Sequence, residues 1–142
     1  MGRGRAVLLI RHARAGERAD WHGDDRLRPL DGRGHEQALA LVEALAAFPI
    51  ERIVSSPALR CVQTVEPLAT ERGLDIEPLD ELAEGMQGVA GAAVVRELAG
   101  EPVAVCGHGG LEGALGIDEK WRKGGTFVLD ADLRVVSRIP PR

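Results

Sequence analysis

A chain of 142 residues, 44% hydrophobic and 28% charged, has the size and composition of one globular domain, which we place at residues 1–142. The net charge of −4 gives no reason to expect nucleic acid as a partner, and no apolar stretch is long enough for a membrane span. Two cysteines without a CxxC spacing make no disulfide framework. We therefore expect reduced thiols and a cytoplasmic location. The oligomeric state stays open.

The first predicted element is a buried strand that ends in polar residues. The aliphatic run Val7-Leu8-Leu9-Ile10 is typical of a strand covered on both faces in a parallel sheet. Arg11 and His12 follow at its carboxyl end, where ligands bind in open α/β sheets. Residues 13–31 lack a clear period, and so long an irregular connection is usually functional or disordered.

Helices and short strands alternate beyond this connection. Apolar spacing predicts a helix from Gly34 to before Pro49, then a strand at 50–55. A second helix is expected to start with Ser56 as its cap and Pro57 in its first turn, with a kink or break at 64–66, ahead of Pro67. The remaining predicted elements are a strand at 74–79, a helix at 90–98, a strand at 103–106, a short helix at 111–115 and strands at 126–129 and 133–137.

This order predicts an α/β protein. Strands that alternate with helices favour a three-layer α/β/α sandwich with a mostly parallel sheet. The last two strands, joined by a turn at 130–132, form a carboxy-terminal hairpin and make the sheet a mixed one of six strands.

Two strands are predicted to deliver a histidine at their carboxyl ends. His12 follows the first, and His108 lies among glycines after the strand at 103–106. Gly109 lets a ligand approach the backbone closely. Arg60 lies near the start of the second predicted helix, at the positive end of its dipole. Together with Arg11, these groups form an anion pocket suited to phosphate. His22 and His35 are expected to be surface or packing residues.

Five segments in order resemble the histidine phosphatase superfamily, also called phosphoglycerate mutase-like. Leu9-Ile10-Arg11-His12-Ala13 is similar to its Arg-His-Gly signature, with alanine in place of glycine. The other four segments are residues 30–38 (a Leu-Thr-x-x-Gly-x-x-Gln-Ala helix entry), 55–64 (Ser-Ser-Pro-x-x-Arg-Ala-x-Gln-Thr), 79–85 (Leu-x-Glu-x-x-x-Gly) and 105–110 (the second histidine motif). The resemblance implies a phosphoglycerate mutase-like fold and a phosphatase that works through a phosphohistidine.

The resemblance also implies roles. His12 would be the nucleophile, and Arg11, Arg60 and His108 would hold the phosphoryl oxygens. The second ring nitrogen of His12 would need an acceptor, for which a backbone carbonyl is expected. Glu81 would be the general acid by motif spacing, with Glu84 as the alternative. Arg14, in the variable loop, either contacts phosphate or faces solvent.

The expected substrate is a phosphate on a large carrier, because little chain is left to build a lid after Gly110. We therefore predict a shallow, open, positively lined pocket. The compact bacterial phosphohistidine phosphatases make a protein phosphohistidine the first expectation. Residues 23–31 resemble the phosphatase domain that some bacteria fuse behind a Nudix hydrolase, which favours a nucleotide or other small phosphate as the alternative.

Two other classes remain open. A metal hydrolase would need ligands, and His22-Gly23-Asp24-Asp25 is the nearest pattern, though it matches no standard motif. A non-catalytic phosphate-binding module would keep the same arginines without turnover. We expect no metal and no cofactor.

Overall fold

A mixed six-stranded sheet forms the centre of the computed structural model, which describes residues 4–142. Its strands are β1 (Val7–Arg11), β2 (Arg52–Ser55), β3 (Ile76–Pro78), β4 (Val103–Gly107), β5 (Thr126–Leu129) and β6 (Val135–Ile139). They lie in the order β3-β2-β4-β1-β5-β6. The first four are parallel to one another, β5 is antiparallel to β1, and β6 is antiparallel to β5. The predicted mixed sheet with its terminal hairpin is confirmed.

Helices cover both faces of the sheet. They are α1 (Gly32–Ala44), α2 (Leu59–Arg72), α3 (Val89–Glu97) and the short α4 (Leu111–Ala114). Side chains of β1 alternate between the two faces, as the pleat of a strand requires. Leu8 and Ile10 pack in the cluster that α1 and α2 cover, whereas Val7 and Leu9 pack in the cluster that α3 and α4 cover. The three-layer α/β/α sandwich is therefore confirmed, and its core is almost wholly aliphatic.

Helix α1 begins at Gly32, slightly earlier than predicted, because Asp31 caps it. The Asp31 carboxylate accepts a hydrogen bond from the Gly34 backbone N–H at 2.8 Å. Gly34 lies so close to the Arg14 carbonyl that a Cβ atom would overlap it. This contact ties the start of α1 to the start of the loop at 13–31.

The structure corrects one prediction for α2 and narrows another. Ser56 does not cap the helix: α2 starts at Leu59, its N-cap residue is Ala58, and the Ser56 hydroxyl bonds to His108. Of the kink or break predicted at 64–66, the break is absent, since α2 continues to Arg72. The buried side chains of α2 on the sheet, which include Cys61, Val65 and Leu68, outweigh the lost backbone hydrogen bond.

The register of β1 and β4 determines where chemistry can occur. These strands are parallel neighbours, with Ile10 opposite Cys106 and Arg11 opposite Gly107. His12 and His108 therefore emerge side by side at the carboxyl edge of the sheet.

Within residues 4–142, no helix combines the length and the apolar character needed to cross a membrane.

Candidate active site

His12 and His108 lie against each other at the carboxyl edge of the sheet. Their ring centroids are 5.4 Å apart, with the rings inclined at 61° in an edge-to-face arrangement. The two residues are 5% and 1% exposed, so both imidazoles are almost completely removed from bulk water. The two predicted strand-end histidines therefore form one buried pair.

A hydrogen bond to the neighbouring backbone orients the His12 ring. Its Nδ1 lies 2.8 Å from the backbone carbonyl oxygen of Ala13, which can only accept, so Nδ1 carries the hydrogen. In the neutral ring this leaves the lone pair on Nε2. The expected carbonyl acceptor for the second nitrogen is present, and Nε2 is the nitrogen available for attack.

Burial keeps this ring neutral. Removal from water lowers the pKa of His12 from 6.5 to about 3; the Ala13 hydrogen bond opposes the shift, and the nearby charges of His108, Arg60 and Arg11 add to it. At neutral pH, His12 is therefore an unprotonated base with its lone pair on Nε2, which is the state that a nucleophile needs.

The lowered pKa predicts how stability depends on pH. Between about pH 6.5 and 3 the unfolded chain binds a proton at residue 12 that the native chain does not, so the free energy of unfolding falls as pH falls. From pH 7 to 4.5 this loss is of the order of 2–3 kcal/mol. Urea denaturation of His12→Asn should show a flatter pH dependence by that amount. The exposed His35→Asn variant is the control, and equal slopes in His12→Asn and the parent would contradict the buried neutral state.

The segment before β5 orients the Arg11 side chain. Its Nη1 donates to the Trp121 carbonyl oxygen at 2.7 Å. Gly109 packs on the guanidinium so closely that a Cβ there would lie 3.1 Å from Nη2. A larger residue at 109 would displace Arg11. The packing of Arg11 therefore favours glycine at position 109, besides any contact of Gly109 with a ligand.

Arg60 is the most buried charge of the site, at 1% exposure. Its Nη1 donates to the Asp25 carbonyl oxygen at 2.9 Å, and its Nη2 lies 3.2 Å from the Asp25 carboxylate. Nη2 also lies 3.5 Å from Glu84. A fully buried guanidinium requires such partners. Arg60 is thus oriented by the loop at 13–31.

His108 is oriented by Ser56. The His108 Nε2 lies 2.8 Å from the Ser56 hydroxyl, which in turn accepts from the Ala58 backbone N–H. The hydroxyl hydrogen is then free to go to Nε2, and this assignment leaves the imidazole hydrogen on Nδ1. Nδ1 points towards Glu84, 3.7 Å away. Ser56 is therefore a positioning residue for His108.

Three buried nitrogens of the site lack a hydrogen-bond partner within the described part of the chain. They are Arg11 Nε, Arg60 Nε and His108 Nδ1. An unsatisfied buried donor costs about 1–3 kcal/mol, so an anion with several acceptor oxygens would be bound favourably here. Phosphate meets that description. The residues predicted to hold a phosphoryl group thus have the donors to do so.

The structure brings Glu84 to the site and leaves Glu81 outside. The Glu84 carboxylate contacts Arg60 and His108, as described above. Glu81 lies in the single turn Asp80–Leu82, and its exposed carboxylate makes no ion pair or hydrogen bond with any residue between 4 and 142. Motif spacing favoured Glu81. The geometry favours the alternative, because Glu84 and not Glu81 reaches Arg60 and His108.

Two loop residues of the site were missed by sequence reasoning. The Asp25 carboxylate lies 2.9 Å from Arg28, 3.2 Å from Arg60 and 3.4 Å from Arg18. Burial alone would raise the pKa of Asp25, but these arginines hold it below its usual value. Arg18 also donates to Glu84 at 2.8 Å. The alternation of Arg and Asp in this stretch was the available signal.

The side chain of Arg14 faces solvent. It is 57% exposed and its nearest charged partner is Asp31, at 3.9 Å. His22 is exposed too. Within residues 4–142, no group of three or more His, Cys, Asp and Glu side chains is arranged to hold a metal ion.

The mouth of the site carries both signs of charge, whereas the sequence predicts a shallow, open, positively lined pocket. A cavity of about 220 Å³ beside Arg60 is lined by both Asp25 and Glu84. Both carboxylates pair with the buried Arg60, Asp25 from the loop at 13–31 and Glu84 from the segment after Asp80–Leu82. The entrance therefore carries mixed charge.

The family model of the histidine phosphatase superfamily (branch 1) matches residues 7–105, which include Arg11, His12, Arg60 and Glu84 and end just before His108. The chain belongs to the histidine phosphatase superfamily.

The chain is similar to a curated protein and to several solved structures. An 8-oxo-(d)GTP phosphatase from Mycolicibacterium smegmatis is 39% identical over 143 residues, covering 88% of this chain but 44% of its own length. The chain therefore spans less than half of that relative. Two solved structures share the fold at 24% identity: a candidate phosphohistidine phosphatase SixA from Agrobacterium tumefaciens (TM-score 0.79, covering 97% and 99% of the two chains) and the protein histidine phosphatase SixA with tungstate (TM-score 0.76, covering 96% and 97%).

Proposed function

We propose that the protein is a phosphatase that works through a phosphohistidine on His12. The observation that carries this proposal is the 2.8 Å hydrogen bond from His12 Nδ1 to the Ala13 carbonyl oxygen, which leaves the lone pair on Nε2. In-line attack by Nε2 forms the N–P bond as the bond from phosphorus to the leaving group breaks, and the leaving group keeps the electron pair. Water then attacks phosphorus as the N–P bond breaks and its electron pair returns to Nε2. Phosphate leaves with the oxygen and the protons of that water, and His12 is neutral again.

Arg11, Arg60 and His108 are proposed to bind the three non-bridging oxygens. Each has a buried nitrogen without a partner in the described chain, and each would face charge that grows in the transition state. Positive charge from two arginines supplies the electrostatic role that metal ions have in other phosphatases. The proposal therefore includes no metal ion.

Glu84 is proposed as the general acid in place of Glu81. A carboxyl group that protonates the leaving group must lie beside the transferred phosphoryl group, and Glu84 contacts both Arg60 and His108. With an alkyl phosphate substrate, Glu84→Gln should lower kcat by about 10²–10⁴-fold. Glu81→Gln is the matched control and should stay close to the parent. The reverse ranking in a kcat assay would return the role to Glu81.

We propose a nucleotide as the substrate, ahead of the protein phosphohistidine that the sequence first suggested. The relative at 39% identity is named for a nucleotide phosphate, and the SixA likeness, at 24%, supports the fold alone. A protein phosphohistidine is the second candidate, because the site opens at the sheet edge beside an exposed loop. A cytoplasmic location remains part of the proposal.

The test compares kcat/KM for GDP, a phosphohistidine-containing protein and 3-phosphoglycerate, each measured in excess chelator. We expect GDP to be the best substrate and 3-phosphoglycerate the poorest. A clear preference for the phosphohistidine protein would replace the nucleotide assignment, and a preference for 3-phosphoglycerate would contradict an open site. No phosphate release from any substrate would refute the phosphatase and leave a non-catalytic binding module. Activity that is lost in chelator would refute metal independence and indicate a metal enzyme.

A further inference from the structure

We infer that Arg18 recognises the second phosphate of a substrate that carries two adjacent phosphates, such as a nucleoside diphosphate. The inference rests on the proposed phosphatase function and makes it more specific. It concerns a residue outside all five motif segments, in the irregular loop between β1 and α1.

Arg18 lies just beyond the phosphoryl site on the solvent side. Its Nη2 donates to Glu84 Oε1 at 2.8 Å, and the other oxygen of Glu84 lies 3.5 Å from Arg60 and 3.7 Å from His108. Glu84 therefore separates Arg18 from the two residues proposed to hold the transferred phosphoryl group. A substituent on that phosphoryl group, leaving past Glu84, would meet the Arg18 guanidinium next.

The present contacts of Arg18 are easy to exchange. Its side chain is 63% exposed and that of Glu84 is 42% exposed, and an exposed ion pair of this kind contributes little to stability. The Arg18 Nε also lies 3.4 Å from Asp25, which is fixed by the buried Arg28. Nε can keep this contact while Nη2 exchanges the carboxylate for a phosphate oxygen. Phosphate accepts charge-assisted, two-point hydrogen bonds from arginine.

The chemistry of a diphosphate suits this arrangement. As His12 Nε2 bonds to the terminal phosphorus, the bond from that phosphorus to the bridging oxygen breaks. The electron pair stays on the bridging oxygen, which becomes a terminal oxygen of the departing nucleoside monophosphate. The second pKa of such a phosphate is about 6, so it can leave without a proton. A positive charge beside the leaving phosphate then serves in place of the acid, and Arg18 provides one.

The test measures the ratio of kcat/KM for GDP to that for p-nitrophenyl phosphate, which carries a single phosphate. Arg18→Ala and Arg18→Gln should lower this ratio by about 10-fold or more, the expected effect of one lost hydrogen bond between charged groups. Arg33→Ala is the control, because Arg33 is also an exposed arginine (51%) in a surface ion pair, with Glu36, and should leave the ratio at the parent value.

A binding experiment gives a second measurement. In a His12→Ala background, Arg18→Gln should weaken GDP binding by about 10-fold and GMP binding by much less. An unchanged ratio together with equal losses for GDP and GMP would overturn the role of Arg18. That result is distinct from failure of the proposed function, in which the parent would release no phosphate from either assay substrate.

Discussion

Replacing His12 with alanine is expected to lower kcat by roughly 10⁴-fold or more, because the enzyme loses the atom that bonds to phosphorus. The loss should be in kcat for every substrate, including aryl phosphates that leave easily. Steady-state phosphate release measures it, with the exposed His35→Ala as the matched control. Turnover by His12→Ala within tenfold of the parent would show that His12 is not the nucleophile.

Arg60→Lys is expected to lower kcat/KM by about 10²–10³-fold, as for the loss of one preorganised donor in a transition state. Lysine keeps the charge but cannot reproduce the planar fork that binds the Asp25 carbonyl and carboxylate and still offers Nε to phosphate. The same kinetics on Arg72→Lys, a change on the same helix with the Leu45 carbonyl as its partner, should match the parent. Parental kcat/KM in a folded Arg60→Lys protein would remove Arg60 from the phosphate site.

The strand-end residues could be predicted because strong rules govern them. An unbroken aliphatic run has one common interpretation, a buried parallel strand, and the carboxyl ends of adjacent strands must meet. His12 and His108 follow from that rule without knowledge of any side-chain contact. The fold class followed from the alternation of strands and helices along the chain. Secondary structure is predicted most reliably for long segments with a clear hydrophobic period.

The placement of Glu84, Asp25 and Arg18 in the site could not be predicted in this way. Whether Glu81 or Glu84 faces inward depends on the backbone path after a single turn, which has no hydrophobic period to fix it. Arg18 and Asp25 lie in an irregular segment whose contacts are ion pairs, and residue spacing does not specify those. Ser56 followed by Pro57 is typical of the start of a helix, but the Ser56 hydroxyl orients His108. Here tertiary contacts override a local preference.

The central claim is a covalent phosphoryl group on Nε2 of His12, and trapping it is the most direct measurement. The parent enzyme is mixed with substrate labelled in the transferred phosphoryl group and quenched within milliseconds in denaturant at alkaline pH. Peptide mapping should then find the label on His12, stable to base and lost on mild acid treatment, and Arg60→Lys should accumulate it more slowly. Rapid turnover with no label on the protein, or with label on another residue, would contradict the account.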